Sequence, residues 1–140
     1  MSVLELAIAI AAKVHAGKVD KVGAPYIFHP RRVMLKMETS EEQMAAVLRD
    51  VVEDSDTTLD DLRNEGLADA VVDAVDAVTI RSGEFYDEFV RRAALKPIGR
   101  RVKLADLEDN RDRSRIANPT EENDGRLAKY KRAIHSIRHN

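Results

Sequence analysis

Cysteine is absent from the 140 residues. That removes a disulfide framework, a thiolate metal site and a cysteine nucleophile together. Aromatic residues are scarce at 4%, although 44% of the chain is hydrophobic. A core must therefore be assembled from alanine, valine, leucine and isoleucine. Such a core suits packed helices better than a β-sandwich, which calls for aromatics, threonine and two-residue alternation. An excess of charge of one sign is also missing. Lys and Arg number 23 against 25 Asp and Glu, a net charge of −2. The basic field of sequence-independent nucleic-acid binding is not expected from that balance. Long hydrophobic runs are missing as well. The apolar stretch 6–12 has Glu5 before it and Lys13 after it, the reverse of a secretory leader, and it is too short to span a bilayer. It reads as one side of an amphipathic first helix in a soluble, cytoplasmic protein.

What is present is a chain for one domain, 1–140, with one core. It has no internal repeat, low-complexity segment or linker. Ser2 with Glu5 has capping-box spacing for a helix reaching about Ala16, with Gly17 as its stop and His15 near its end. The loop GKVDKVGAPY at 17–26 carries Lys18 and Lys21, suited to an anionic ligand or to plain solvent. His29 is expected at or just before the N-cap of a helix opening at Pro30. Ser40 with Gln43 reads as the capping box of a helix running to about Ser55. A short helix from 57–62 stops at Gly66. The stretch 67–80 places Val71, Val72, Val75 and Val78 on a buried face, and Gly83 breaks it. The next helix, 84–95, carries Phe85, Tyr86 and Phe89 as packing residues and ends at Pro97. Residues 98–111 form a helix with Asp106 beside its apolar side. A turn at Asn118, Pro119 and Thr120 leads to a closing helix, 127–137, with His135 and His139 on the surface. The fold class is all-α: a compact bundle of about seven or eight helices joined by short connections.

The organising stretch is AAVLRDVVED at 45–54. On one continuous helix Asp50, Glu53 and Asp54 share a face, among Val47, Leu48, Val51 and Val52. Acids in that setting need a cation, a metal or a hydrogen-bond network. His29, Asp50 and Asp106 lie on elements able to meet. Imidazole and carboxylate together suit a divalent transition ion, which lowers the pKa of bound water and polarises a phosphoryl oxygen. Spacing alone does not select that reading, because one histidine and two separated aspartates occur by chance in many helical proteins.

Order adds what spacing lacks. The stretches KVGAPYIFHP at 21–30, VLRDVVED at 47–54 and KLADLEDN at 103–110 together resemble the HD-domain metal-dependent phosphohydrolases. More narrowly, they resemble the hydrolase domain of the RelA/SpoT family and its small stand-alone relatives. The likeness runs from the first helix to about Asp112. It implies an all-helical HD-domain fold, in agreement with the reading above. It also implies a divalent ion, usually manganese, held by a His, a His-Asp pair and a later Asp, of which His29, Asp50 and Asp106 match three. By the same resemblance Glu53 and Asp54 position and activate the attacking water, Lys21 and Tyr26 belong to the loop near the nucleotide, and Asn110 lies on the ribose side. The implied substrate is (p)ppGpp, which loses pyrophosphate at its 3′ position; some stand-alone relatives act on other phosphorylated nucleotides.

The chain departs from that pattern. Arg49 stands where the His of the His-Asp pair belongs; a guanidinium stays protonated, cannot ligate a metal and repels one. Asp20 replaces a basic residue before the loop lysine. The family's L-A-D-R-L-H-N form reads LADLEDN at 104–110, which is more acidic. The expectation is thus a metal-dependent phosphohydrolase that removes pyrophosphate or phosphate from a nucleotide and is impaired by Arg49. The alternative is a catalytically inactive nucleotide- or phosphate-binding module, with Arg49 contacting phosphate or pairing with Glu53 at i, i+4. A third reading is a ligand-free helical or dimerisation unit. The expected partner is a small phosphorylated nucleotide, not nucleic acid or membrane, and oligomeric state is left open.

Overall fold

Helix α1 (Val3–Val14) buries Ala7 and Ala11 completely, with Glu5 in its first turn and Lys13 in its last, both favourable to the helix dipole. Gly17, at φ +80°, turns the chain into a loop. The computed structural model describes residues 3–116 and 121–139, with side chains outside 113–123. The Ser2 cap and the turn at 118–120 lie outside the described residues. The loop folds back on itself: Val19 and Pro25 form an antiparallel bridge. The Asp20 carboxylate accepts the N–H groups of Val22 and Ala24 at 2.9 and 3.0 Å. Asp20, a departure from the basic pattern, therefore serves as the turn-forming residue of this loop.

Helix α2 (Phe28–Leu35) begins two residues before the expected start. His29 is its second residue, not its N-cap, and buried Pro30 still falls in the first turn, where no N–H is needed. Helix α3 (Ser40–Leu48) is capped one residue earlier than expected. Thr39, not Ser40, exchanges hydrogen bonds with Glu42, because Glu42 is buried at 3% exposure and is further bound by Arg101. The single helix expected through Asp54 is broken. After Leu48 the chain turns at Arg49 and Asp50, then resumes as α4 (Val51–Asp54). Asp50 sits at φ −90°, ψ −3°, in the sparsely populated bridge between regular regions. The Arg49 N–H reaches back three residues to Ala46 O at 3.5 Å.

Helices α5 (Leu59–Asn64), α6 (Asp69–Ala77), α7 (Tyr86–Ala94), α8 (Pro97–Ile116) and α9 (Glu121–Arg138) follow. Val71, Val72, Val75 and Val78 are fully buried. Phe89 is buried but Phe85 is 76% exposed, so Phe85, expected in the packing, stands outside it. Phe85 precedes the first helical turn, where the chain is still extended at ψ 151°. Pro97, expected to end α7, instead opens α8 at the position that suits proline. His135 and His139 are exposed.

The architecture is all-α, arranged around α3, which packs against α1, α2, α6 and α8. Small residues let these helices approach closely. A Cβ on Gly99 would meet Ala93 O at 2.9 Å and the Ala77 Cβ at 3.1 Å. A second apolar cluster, built on Leu107, Ile134 and Ile137, seats α9 against α8. No helix among the described residues is long and apolar enough to cross a membrane.

Candidate functional site

Three elements deliver three side chains to one interior point. His29 comes from the first turn of α2, Asp50 from the break between α3 and α4, and Asp106 from the middle of α8. All three are buried, at 6%, 5% and 1% exposure. His29 Nε2 lies 2.8 Å from Asp106 Oδ1. The point where they meet is held by Arg49 Nη2. It lies 2.5 Å from Asp50 Oδ2, 3.1 Å from Asp106 Oδ1 and 3.1 Å from His29 Nε2. The break in the helix explains this placement: it turns Arg49 and Asp50 inward together, which consecutive residues of a regular helix do not achieve. Glu53, expected as the i, i+4 partner of Arg49, is separated from it by the same break and accepts the Ile80 N–H at 2.8 Å.

A second layer surrounds the three side chains. The Tyr26 hydroxyl donates to Asp50 Oδ2, and its ring packs on His15 with centroids 4.8 Å apart. Asp109 Oδ2 lies 2.5 Å from His29 Nδ1 and is gripped at both oxygens by Arg32, at 2.7 and 3.0 Å. Lys103 Nζ donates to Asp106 Oδ2 at 3.2 Å, and Asn110 Nδ2 to Asp106 Oδ1 at 3.3 Å.

Titration follows from these contacts. Burial opposes the charged form of His29, but its hydrogen bonds to Asp106 and Asp109 prevail and raise its pKa. Burial likewise opposes the ionised form of Asp106, yet Arg49, Lys103 and His29 hold it far below the usual carboxylate range. Asp109 is drawn down to about 2 against the effect of burial, by hydrogen bonds from His29 and Arg32. Protein mass behind Glu53 raises its carboxyl pKa although its tip reaches solvent. Burial lowers the pKa of His15, whose ring nitrogens have no hydrogen-bond partner among the described residues.

The cluster forms the floor of an open cleft of about 550 Å³. Its walls include Lys21 and Tyr26 from the loop, Glu53 and Asp54 from α4, Asn110 from α8 and Tyr130 from α9. The sequence-expected residues other than buried Asp106 are therefore brought to one cleft, with Asp106 directly beneath it. Arg32, Lys103, Asp109 and Tyr130 were not anticipated. A signal for the first three was present: Arg32 lies three residues from His29, and Lys103 and Asp109 each three from Asp106, so each shares a helix face with a site residue. Tyr130 had no such signal, because only the packing of α9 brings it to the cleft.

Imidazole and carboxylates are the right donor types for a divalent ion, but these residues as placed do not fit one. The common point is taken by a guanidinium nitrogen, and His29 Nε2 faces a carboxylate oxygen. Among the described residues no group of three or more His, Cys, Asp or Glu side chains is disposed to hold an ion.

No protein-family model matches the chain. Among curated proteins, the guanosine-3′,5′-bis(diphosphate) 3′-pyrophosphohydrolase of Aquifex aeolicus is 31% identical over 119 residues, covering 76% of this chain. The protein of the same name from Vibrio cholerae is 34% identical over 107 residues, covering 73% of this chain. The chain spans only 17% and 15% of the length of those two proteins. A solved structure described as a metazoan ortholog of SpoT that hydrolyses ppGpp, with a role in starvation responses, superposes with a TM-score of 0.80. The match covers 100% of this chain and 87% of that one at 22% identity, a likeness of fold. The chain is thus a relative of one segment of the SpoT-like ppGpp pyrophosphohydrolases, and it carries the all-helical HD-domain fold.

Proposed function

We propose that residues 1–140 form one hydrolase-type domain that admits a phosphorylated nucleotide of the ppGpp class. Removal of pyrophosphate or phosphate there is impaired by Arg49. The observation that carries this reading is the cleft itself. In a relative of ppGpp hydrolases, the loop residues, the Glu53–Asp54 pair and Asn110 face one open volume above the His29–Asp50–Asp106 cluster.

Each residue has a task in this reading. Lys21 on the rim and Arg32 deeper in offset phosphate charge. Glu53 and Asp54 orient and deprotonate a water. The raised pKa of Glu53 makes it a stronger base than a free carboxylate, and its bond from Ile80 N–H fixes its direction. Asn110 offers an amide to the ribose side, and Tyr26 lines the loop wall while its hydroxyl holds Asp50. His29, Asp50 and Asp106 are the donors that manganese or another divalent ion would require. With Arg49 among them they do not accept an ion, so the electrophilic assistance that an ion supplies is missing and turnover is slow.

Arg49 also favours a second reading, a catalytically inactive nucleotide- or phosphate-binding module. Nη2 makes the Arg49 bonds to Asp50 and Asp106, which leaves Nη1 for a charge-assisted phosphate contact. One experiment separates the two. Pyrophosphate release from ppGpp is measured with millimolar manganese for the wild type and Arg49→His, alongside calorimetric binding. Weak release by the wild type with a gain of at least about 100-fold in the variant supports the impaired hydrolase. Binding by both without release selects the module. Absence of binding by either folded protein removes ppGpp as the ligand.

A further inference from the structure

We infer that Arg49 is the resident cation of this site. Its guanidinium stands where an ion would stand, excludes a divalent ion from His29, Asp50 and Asp106, and leaves the rest of a metal site assembled around it.

A divalent ion would lie about 2.0–2.6 Å from its oxygen ligands. At the point shared by the three donors it would overlap Nη2, which is already 2.5 Å from Asp50 and 3.1 Å from Asp106. Charge points the same way. Asp50 and Asp106 are buried carboxylates that require a cation, and Arg49 cannot lose its proton. Withdrawal of the side chain would leave both acids short of their partner, so the guanidinium does not yield to a passing ion. Arg49 is only 8% exposed.

The surrounding layer remains suited to a metal. Asp109 at His29 Nδ1 is the arrangement that aims Nε2 of a ligating histidine at its ion. Tyr26 orients Asp50, while Lys103 and Asn110 orient Asp106. Nothing in that layer needs Arg49 itself. A single exchange, Arg49→His, removes the resident charge and adds a fourth donor on the same backbone. The chain therefore holds a latent divalent-cation site one substitution away, whether or not a nucleotide enters the cleft.

Manganese binding tests this directly, with the free-ion signal in electron paramagnetic resonance as the readout. The wild type is expected to leave that signal undiminished and to unfold at the same temperature in manganese and in EDTA. Arg49→Lys, which keeps the charge, is expected to behave likewise. Arg49→His is expected to take up one manganese per chain and to gain several degrees of unfolding temperature with it. Adding Asp109→Asn to Arg49→His should weaken that uptake about 10–100-fold. One manganese bound per wild-type chain, lost in Asp106→Asn, would overturn the inference. A folded Arg49→His that binds no manganese would overturn the latent site. If Arg49→His fails to fold, the wild-type titration still decides whether Arg49 excludes the ion.

Discussion

Two arginines sit at the centres of two polar clusters, and they are used differently. Arg92 is saturated. Its Nε and Nη2 grip Glu84 at 2.8 and 2.9 Å, while Nη1 and Nη2 reach the carbonyls of Asp76 and Thr79 at 3.0 and 2.7 Å. All three nitrogens are engaged, and the result is a tied loop between α6 and α7. Arg49 makes its bonds through one nitrogen, to two buried acids, and lines an open cleft. A saturated guanidinium is a brace; a half-used one in a cavity is a site component. The two clusters are also linked, since the loop that Arg92 ties includes Ile80, whose N–H holds Glu53.

Removing each arginine in turn has the largest expected effects. Arg49→Leu leaves Asp50 and Asp106 buried without their cation. It should cost about 3–5 kcal/mol in urea unfolding with EDTA present; a loss below about 1 kcal/mol would mean that Lys103 and His29 neutralise the cluster unaided. Arg92→Ala should cost less, a few degrees in unfolding temperature, because its cluster stands nearer to solvent. Its distinctive effect is local: the Ile80 amide should exchange hydrogen faster, and Glu53 should titrate differently as its hydrogen bond loosens. An unchanged Ile80 amide would separate the two clusters.

Acid has a smaller effect on the cluster around Arg49. Asp109 and Asp106 have folded pKa values below their unfolded ones. Their contribution is complete above the unfolded value of about 4 and is lost as pH falls through the folded values. Stability should therefore decline between about pH 4 and pH 2, with a shallower decline in Asp109→Asn. His29 acts in the opposite sense. Its pKa is raised, so its contribution is full below about pH 6.5 and is lost as pH rises through the folded value. An Asp109→Asn curve parallel to the wild type would show that Asp109 gains nothing from its partners.

Much of the fold was legible, for a physical reason. Helix periodicity is local, and Val71, Val72, Val75 and Val78 declared their buried face through it. Ends were less secure, because Thr39 and Ser40 are both competent caps and the choice depended on Glu42 being drawn into the interior by Arg101. The break at Arg49 and Asp50 was not legible. Local propensity favours one continuous helix from 40 to 54, and only the pull of Asp106, more than fifty residues away in sequence, makes the turn worthwhile.

An all-helical chain, a set of candidate site residues in three ordered motifs, and one anomaly, Arg49, whose chemistry forbids ligation, were written in local patterning and residue chemistry. Tertiary structure alone decided where that anomaly points. A guanidinium on a helix reaches in several directions, and sequence spacing does not distinguish pairing with Glu53 from pairing with Asp106. Packing α2, α3 and α8 together placed two buried carboxylates around it, and the need to neutralise them chose the geometry.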